Sequence, residues 1–116
     1  MGPEDHIRIR HMLDAVMQAL AFVEGRARAD LDADRMLLLA LVKCIEILGE
    51  AASKVSPEVR QASPDIPWRS IVAMRNRLIH GYFDINADMV WATVVEVLPS
   101  LNEPLTKLGV LSNDDN

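Results

Sequence analysis

The sequence of 116 residues is poor in cysteine and in aromatic side chains. Cys44 is the only cysteine, which excludes an intramolecular disulfide and suits a reducing compartment. Because it lies in a segment rich in apolar residues, we interpret Cys44 as a buried, inert thiol rather than a redox or nucleophilic group. Aromatic residues make up 4% of the chain, so aliphatic side chains must fill the core.

Long apolar runs and an export signal are also missing. The richest apolar run extends from Met36 to Val42, and Lys43 and Glu46 follow it well short of the ~20 residues that a membrane span needs. The beginning, MGPEDHIRIRHML, carries charges throughout and lacks the apolar centre of a signal peptide. We therefore expect a soluble protein in the cytoplasm.

The chain has no excess of positive charge. Its formal net charge is −5, which argues against a general polyanion binder, because non-specific affinity for nucleic acids comes mainly from basic side chains. One segment, between Trp68 and Phe83, differs because it is basic and has no acidic residue. Its basic or titratable side chains are Arg69, Arg75, Arg77 and His80. This segment is a positive island in an acidic chain.

Metal-site and cofactor motifs are absent too. His6 and His11 are five positions apart, one more than the spacing that chelates a metal from one helical face, and no cysteine lies near them. There is no glycine-rich phosphate loop. We therefore expect no metal and no cofactor, and we interpret both histidines as exposed helix residues.

The clearest positive signal is helical periodicity. Apolar residues recur at intervals of three and four over four segments, and no alternating strand pattern occurs. The predicted helices cover about residues 5–25, 33–56, 67–80 and 86–107. Gly25 and Gly81 are placed to end the first and third helices, since glycine accepts the left-handed conformation there. The acceptors that favour the start of the second helix are Asp30, Asp32 and Asp34.

Prolines divide and bend the predicted helices. A short helical turn is predicted in the proline-rich link between the second and third helices, at Pro57, Pro64 and Pro67. Pro99 is expected to kink the fourth helix, and Pro104 to weaken its end. The predicted fold is all-α, an up-and-down four-helix bundle in a single domain of residues 1–116, with about residues 111–116 as a frayed tail.

The second predicted helix is apolar over more than one stripe. Leu37, Leu41 and Ile45 belong to one stripe, and Met36 and Leu39 widen it. One neighbouring helix cannot cover so wide a surface. Two interpretations remain open: a central position in the bundle, or a contact with a second subunit.

The segment MRNRLIHGYF, residues 74–83, places strong polar groups at the end of the third helix. On a helical wheel Arg75 lies within about 60° of Trp68 and Ile71, on the apolar face. Burying an unpaired guanidinium costs at least several kcal/mol, so Arg75 needs either a partner or a route by which its head reaches water or a carboxylate. His80 lies in the last turn, where a histidine can serve as a simple cap.

The spacing of these residues resembles a known family. Arg75, His80 and Tyr82 reproduce the R-x4-H-x-Y signature of the HEPN superfamily, and the surrounding Met-Arg-Asn and His-Gly-Tyr-Phe are similar to its HepT toxin family. The segment ILGEAA and the position of Trp68 also resemble HepT proteins. The resemblance covers nearly the whole chain.

This resemblance implies an endoribonuclease toxin of a toxin–antitoxin pair, bacterial or archaeal, that works without a metal. The implied catalytic residues are Arg75, which would hold the scissile phosphate, and His80, which would transfer protons between the 2′-hydroxyl and the leaving oxygen. The implied substrate-binding residues are Asn76, Arg77 and Tyr82. The RNA is expected to be tRNA or mRNA.

The resemblance also implies partners. HEPN proteins form homodimers in which two motifs line a shared cleft, and HepT toxins are paired with a nucleotidyltransferase antitoxin that can add AMP to the motif tyrosine, here Tyr82. Phosphate at Tyr82 would compete with RNA for Arg75. The alternative is a non-catalytic HEPN dimer that binds a nucleotidyltransferase, a nucleotide or RNA without cleavage.

Overall fold

The structure is a computed structural model that describes residues 1–78 and 84–114, with the side chains up to residue 109. Every regular element in these ranges is helical, which confirms the predicted all-α class. The elements are α1 (Pro3–Val23), α2 (Asp30–Ala33), α3 (Arg35–Ser53), α4 (Pro57–Ala62), α5 (Trp68–Leu78), α6 (Ala87–Ala92), a π-helical segment (Thr93–Val97) and α7 (Pro99–Asp114).

The link between α1 and α3 follows the predicted signals and adds one element. Gly25 adopts a φ of 73°, the left-handed conformation for which glycine is suited. Asp34 caps α3, since its Oδ1 accepts a hydrogen bond of 3.1 Å from the backbone N–H of Leu37. The preceding aspartates, however, belong to the separate short helix α2, so α3 begins two residues later than predicted.

Helix α3 lies at the centre of the fold. It packs against α1 on one side and α5 on the other, and α1 also packs against α7. The shared core contains the fully buried residues Met12, Val16, Leu41, Ile45, Leu48, Ile71 and Leu105. This position confirms the interpretation of α3 as a central helix. It leaves part of α3 uncovered, because Met36 is 81% exposed and Leu39 46% exposed.

Two close contacts fix the position of α5. A Cβ added at Gly49 of α3 would lie 3.3 Å from the carbonyl oxygen of Ile71, so the two helix backbones approach closely. At the first residue of α5, the indole Nε1 of Trp68 donates a hydrogen bond of 3.0 Å to the carbonyl oxygen of Ser63. The predicted turn in the proline-rich link is the six-residue α4, capped by Ser56.

The prolines of the last helical region act differently from one another. The kink predicted at Pro99 takes the form of the π-helical segment before it, in which the N–H of Leu98 bonds to the oxygen of Thr93 at 3.0 Å. Pro104 lies inside α7 and does not end it, although its ring removes one backbone donor. Both Leu101 and Leu105 are buried beside it, and this packing holds the helix together.

Helix α7 is longer than predicted. It continues to Asp114, whereas the predicted fourth helix ended at about residue 107. Residues 115 and 116 lie outside the described ranges, as does the predicted end of α5 at His80 and Gly81. Among the described residues, no helix is long and apolar enough to cross a membrane.

Candidate functional site

The last turn of α5 carries three exposed polar residues in succession, Arg75, Asn76 and Arg77. They are flanked by Met74 and Leu78, which are only 8% and 2% exposed. The buried flanks hold this end of the helix against the core, and the polar side chains are therefore presented from a fixed backbone.

Arg75 is not buried, although its position on the helical wheel suggested that it would be. The wheel places it within about 60° of Ile71 and Leu78, which are both buried, yet Arg75 itself is exposed. No carboxylate pairs with it in the part of the chain that the structure describes. Of the two routes left open by the sequence, the structure supports the one in which the guanidinium reaches solvent.

Arg75 lines a groove of about 270 Å³ formed by three helices. The groove has both basic and acidic side chains and an apolar side formed by Ile47. Its lining residues are Arg8 and His11 from α1; Lys43, Glu46, Ile47, Glu50 and Ala51 from α3; and Arg75 from α5. A solvent-open groove with several cations can bind a phosphate or a nucleic-acid strand.

Sequence reasoning did not assign Arg8, His11 and Lys43 to this site. Arg8 and His11 are three residues apart, a spacing that places both on one side of α1. That signal says nothing about which side of α1 faces α5, because Arg8 and His11 are more than 60 residues from Arg75 in sequence. The prediction that His11 is exposed is confirmed, but its position beside the groove of Arg75 was missed.

The remaining predicted site residues divide into two groups. Asn76 and Arg77 are exposed at the same helix end, but they are not among the residues that line the groove. His80 and Tyr82 lie outside the described residues, so their roles stay predictions. Within the described ranges, no three His, Cys, Asp or Glu side chains are grouped closely enough to hold a metal ion.

Comparison with known proteins identifies the family of the chain. Residues 12–108 match the family model described as "Ribonuclease HepT-like". The chain is 33% identical over 100 residues to the "Probable ribonuclease HepT" of Thermococcus cleftensis, covering 83% of this chain and 91% of that protein. A protein of Caldanaerobacter subterraneus subsp. tengcongensis, named as a candidate RNase, is 31% identical over 100 residues, with 86% and 89% covered.

A protein of Methanocaldococcus jannaschii, also named as a candidate RNase, is 31% identical over 85 residues, which cover 72% of this chain and 70% of that protein. No solved structure is significantly similar to the chain. The family model spans most of the sequence, from within α1 to within α7. The chain therefore belongs to the HepT-like ribonuclease family of the HEPN superfamily.

Proposed function

We propose that the chain is a metal-independent endoribonuclease that cleaves RNA through the 2′-hydroxyl next to the scissile phosphate. Its family supports a ribonuclease. The observation that carries the proposal to this chain is the exposed Arg75, which opens into a groove without a carboxylate partner among the described residues. An unpaired guanidinium with two parallel donors is suited to a phosphate group.

In the proposed reaction, His80 takes the proton of the 2′-hydroxyl, and the oxygen attacks the neighbouring phosphorus. The P–O bond to the 5′ oxygen breaks, and that oxygen receives a proton as it leaves, so the products are a 2′,3′-cyclic phosphate and a 5′-hydroxyl. Arg75 stabilises the negative charge that grows on the phosphate oxygens. Asn76 and Arg77 hold the flanking RNA, and Tyr82 hydrogen-bonds to or stacks on a base.

The biological role that fits this activity is a cytoplasmic toxin of a toxin–antitoxin pair. In this proposal the protein acts as a homodimer whose two motifs share a cleft, so that two histidines are available for acid and base catalysis. A nucleotidyltransferase antitoxin neutralises it by adding AMP to Tyr82. The added phosphate places negative charge beside Arg75 and blocks the RNA.

The test is expression of the wild type, His80→Ala and Arg75→Ala in a bacterium, with growth and RNA integrity followed. Growth arrest with cleaved RNA only for the wild type supports the proposal. Cleaved ends carrying a cyclic phosphate support the 2′-hydroxyl mechanism in particular. If all three proteins are equally harmless and still bind a nucleotidyltransferase tightly, the chain is a non-catalytic binding module and the proposal is wrong.

A further inference from the structure

The groove of Arg75 holds basic groups that the R-x4-H-x-Y motif does not contain. Arg8 is half-buried on α1, and Lys43 is exposed on α3, and both face the same groove as Arg75. We propose that Arg8 and Lys43, with His11 as a further donor, form a subsite for the phosphate backbone of the RNA beside the linkage held by Arg75. This inference rests on the proposed function, because it takes RNA as the ligand.

Among the described residues, the arginines and the lysine of this groove have no carboxylate partner, whereas several cations elsewhere do. The ion pairs among the described residues are Arg26 with Asp34 at 3.6 Å, Arg28 with Asp32 at 3.2 Å and with Asp88 at 2.6 Å, Lys54 with Glu50 at 3.1 Å and Lys107 with Glu103 at 3.3 Å. Neither Arg8 nor Lys43 pairs with an acid among the described residues. The chain has 17 acidic and 12 basic residues, so acids are available, and the described ones nevertheless leave Arg8 and Lys43 available to an external anion.

The acidic residues of the groove restrict what that anion can be. Glu50 is paired with Lys54, which reduces its repulsion of a phosphate. Glu46 is half-buried, forms no ion pair within the described ranges and would repel a phosphate placed directly against it. A ribose hydroxyl can donate a hydrogen bond to such a carboxylate. The mixture of cations and an acceptor therefore fits a strand of alternating phosphates and sugars better than a single inorganic anion.

The length of the groove agrees with this interpretation. Lys43 and Glu50 are seven residues apart on α3, which separates them by ~10 Å along the helix axis. This is roughly three times the 3.4 Å rise per nucleotide of a stacked strand. Ile47, between them and 37% exposed, offers an apolar surface to a sugar or base. The groove therefore has room for a short run of nucleotides beside Arg75.

The test measures binding of a fluorescein-labelled, single-stranded RNA of mixed sequence by fluorescence anisotropy over a range of salt concentrations. Every protein carries His80→Ala, so that the RNA stays intact. The double substitution Arg8→Gln with Lys43→Ala is expected to weaken binding on the order of tenfold and to reduce the slope of log Kd against log salt by ~1.4, about 0.7 for each lost phosphate contact. Gln keeps most of the stem of Arg8, and thermal melting checks the fold.

The matched control is Arg10→Gln with Lys107→Ala, which removes the same two charges from outside the groove. Arg10 is exposed on α1 and lines a different groove with Thr106, and Lys107 is exposed on α7. The control should change Kd by less than about twofold. Glu46→Gln should strengthen binding, because it removes the negative charge from the groove. Equal Kd values and slopes for the groove variant and the control would overturn the subsite.

The outcomes separate this inference from the proposed function. If the wild type does not cleave RNA but the groove variant loses binding as expected, the subsite stands and the ribonuclease proposal fails. If the wild type cleaves RNA and the groove variant still binds it like the control, only the subsite fails. A groove variant that binds RNA normally but no longer binds a nucleotidyltransferase would assign the groove to a protein partner and would likewise overturn the subsite.

Discussion

At the scale of the residue, Arg75 is defined by the geometry of its donors as well as by its charge. A guanidinium presents two parallel N–H groups to a phosphate, whereas an ammonium is a point charge. Because Arg75 is exposed and has no carboxylate partner among the described residues, its side chain contributes little to the folded state. The residue is thus available for function at almost no cost in stability.

We predict that Arg75→Lys lowers the rate of RNA cleavage roughly 100-fold, as expected for the loss of a donor aimed at a transition-state charge. The free energy of unfolding should change by less than ~0.5 kcal/mol, since the site is exposed. Rates come from single-turnover cleavage of a labelled RNA, and stabilities from urea titration. Arg69→Lys on the exposed part of the same helix is the control. Full activity of Arg75→Lys would mean that charge alone is sufficient.

Cys44, unlike the exposed Arg75, is a buried residue and is only 3% exposed. Burial raises the pKa of the Cys44 thiol above its ordinary value of 9.0, because the apolar surroundings disfavour the thiolate. We predict that a thiol-specific reagent at neutral pH reacts with the native protein on the order of a thousandfold more slowly than with the unfolded chain. Rapid labelling of the native protein would contradict this prediction and the interpretation of Cys44 as inert.

The same pKa gives a dependence of stability on pH. The thiol of the unfolded chain ionises near pH 9.0, while the native thiol is still protonated. The contribution of Cys44 to the free energy of unfolding is therefore complete below that pH, and it is lost as the pH rises through the native pKa. Cys44→Ala should remove this part of the alkaline loss. Urea unfolding of both proteins at a series of alkaline pH values measures the difference.

At the scale of the element, the close contact between α3 and α5 decides where Arg75 lies. Gly49 permits this contact, since an added Cβ would meet the carbonyl oxygen of Ile71 at 3.3 Å. That oxygen belongs to the backbone of α5, so it can yield only if the helix moves. The absence of a side chain at Gly49 therefore serves the close packing of α3 against α5 and not backbone flexibility.

We predict that Gly49→Ala destabilises the protein by ~1 kcal/mol, because the strain at Ile71 outweighs the better helix propensity of alanine. Gly109→Ala on α7 is the matched control, since nothing lies within 4 Å of the added Cβ. The free energy of unfolding of this control should increase by up to ~1 kcal/mol, because alanine has a higher helix propensity than glycine. Urea titration of both variants measures the two changes in the free energy of unfolding. An increase at both positions would show that α5 moves away from the added Cβ at little cost.

The start of α3 depends on a side-chain cap. Asp34 accepts the N–H of Leu37 at 3.1 Å. We predict that Asp34→Ala costs ~1 kcal/mol of stability through loss of this cap. Asp65→Ala, which removes the same charge from an exposed position outside the helices, should change the thermal midpoint much less. Equal shifts for the two variants would attribute the effect to net charge.

At the scale of the whole molecule, the described chain leaves apolar side chains of its central helix in solvent. Met36 and Leu39 lie at the N-terminal half of α3, and they are 81% and 46% exposed. Residues 36, 39, 43 and 47 are spaced by three and four, so this surface continues along α3 into the groove of Arg75. A second copy placed on Met36 and Leu39 would therefore flank the groove.

We predict that the purified protein is a homodimer and that Met36→Lys with Leu39→Lys shifts it towards the monomer, because charges would enter an apolar contact. Met17→Lys on α1, where the side chain is 54% exposed, should leave the dimer intact. Sedimentation velocity measures the mass, and RNA cleavage is followed in parallel. A stable wild-type monomer that cleaves RNA would make the shared cleft unnecessary.

Local patterns in the sequence were enough to predict the main helices and the part of the candidate site that α5 carries. Apolar spacing located the core stripes of α1 and α3, Gly25 marked the end of the first helix, and the motif around Arg75 indicated the family. These features depend on residues within one or two helical turns of each other. Such short-range preferences depend only on neighbouring residues, so they can be recognised in the sequence.

Tertiary packing decided the rest, because it depends on which faces of distant helices meet. Only the structure places Arg8 and Lys43 beside Arg75, and only the structure reveals that Arg75 leaves the apolar face for solvent. The π-helical segment before Pro99 and α7, which continues through Pro104, both pack against α1, and local sequence patterns do not specify these contacts. Helical periodicity fixes which residues share a face, whereas the contact between faces is set by the shape of the whole core.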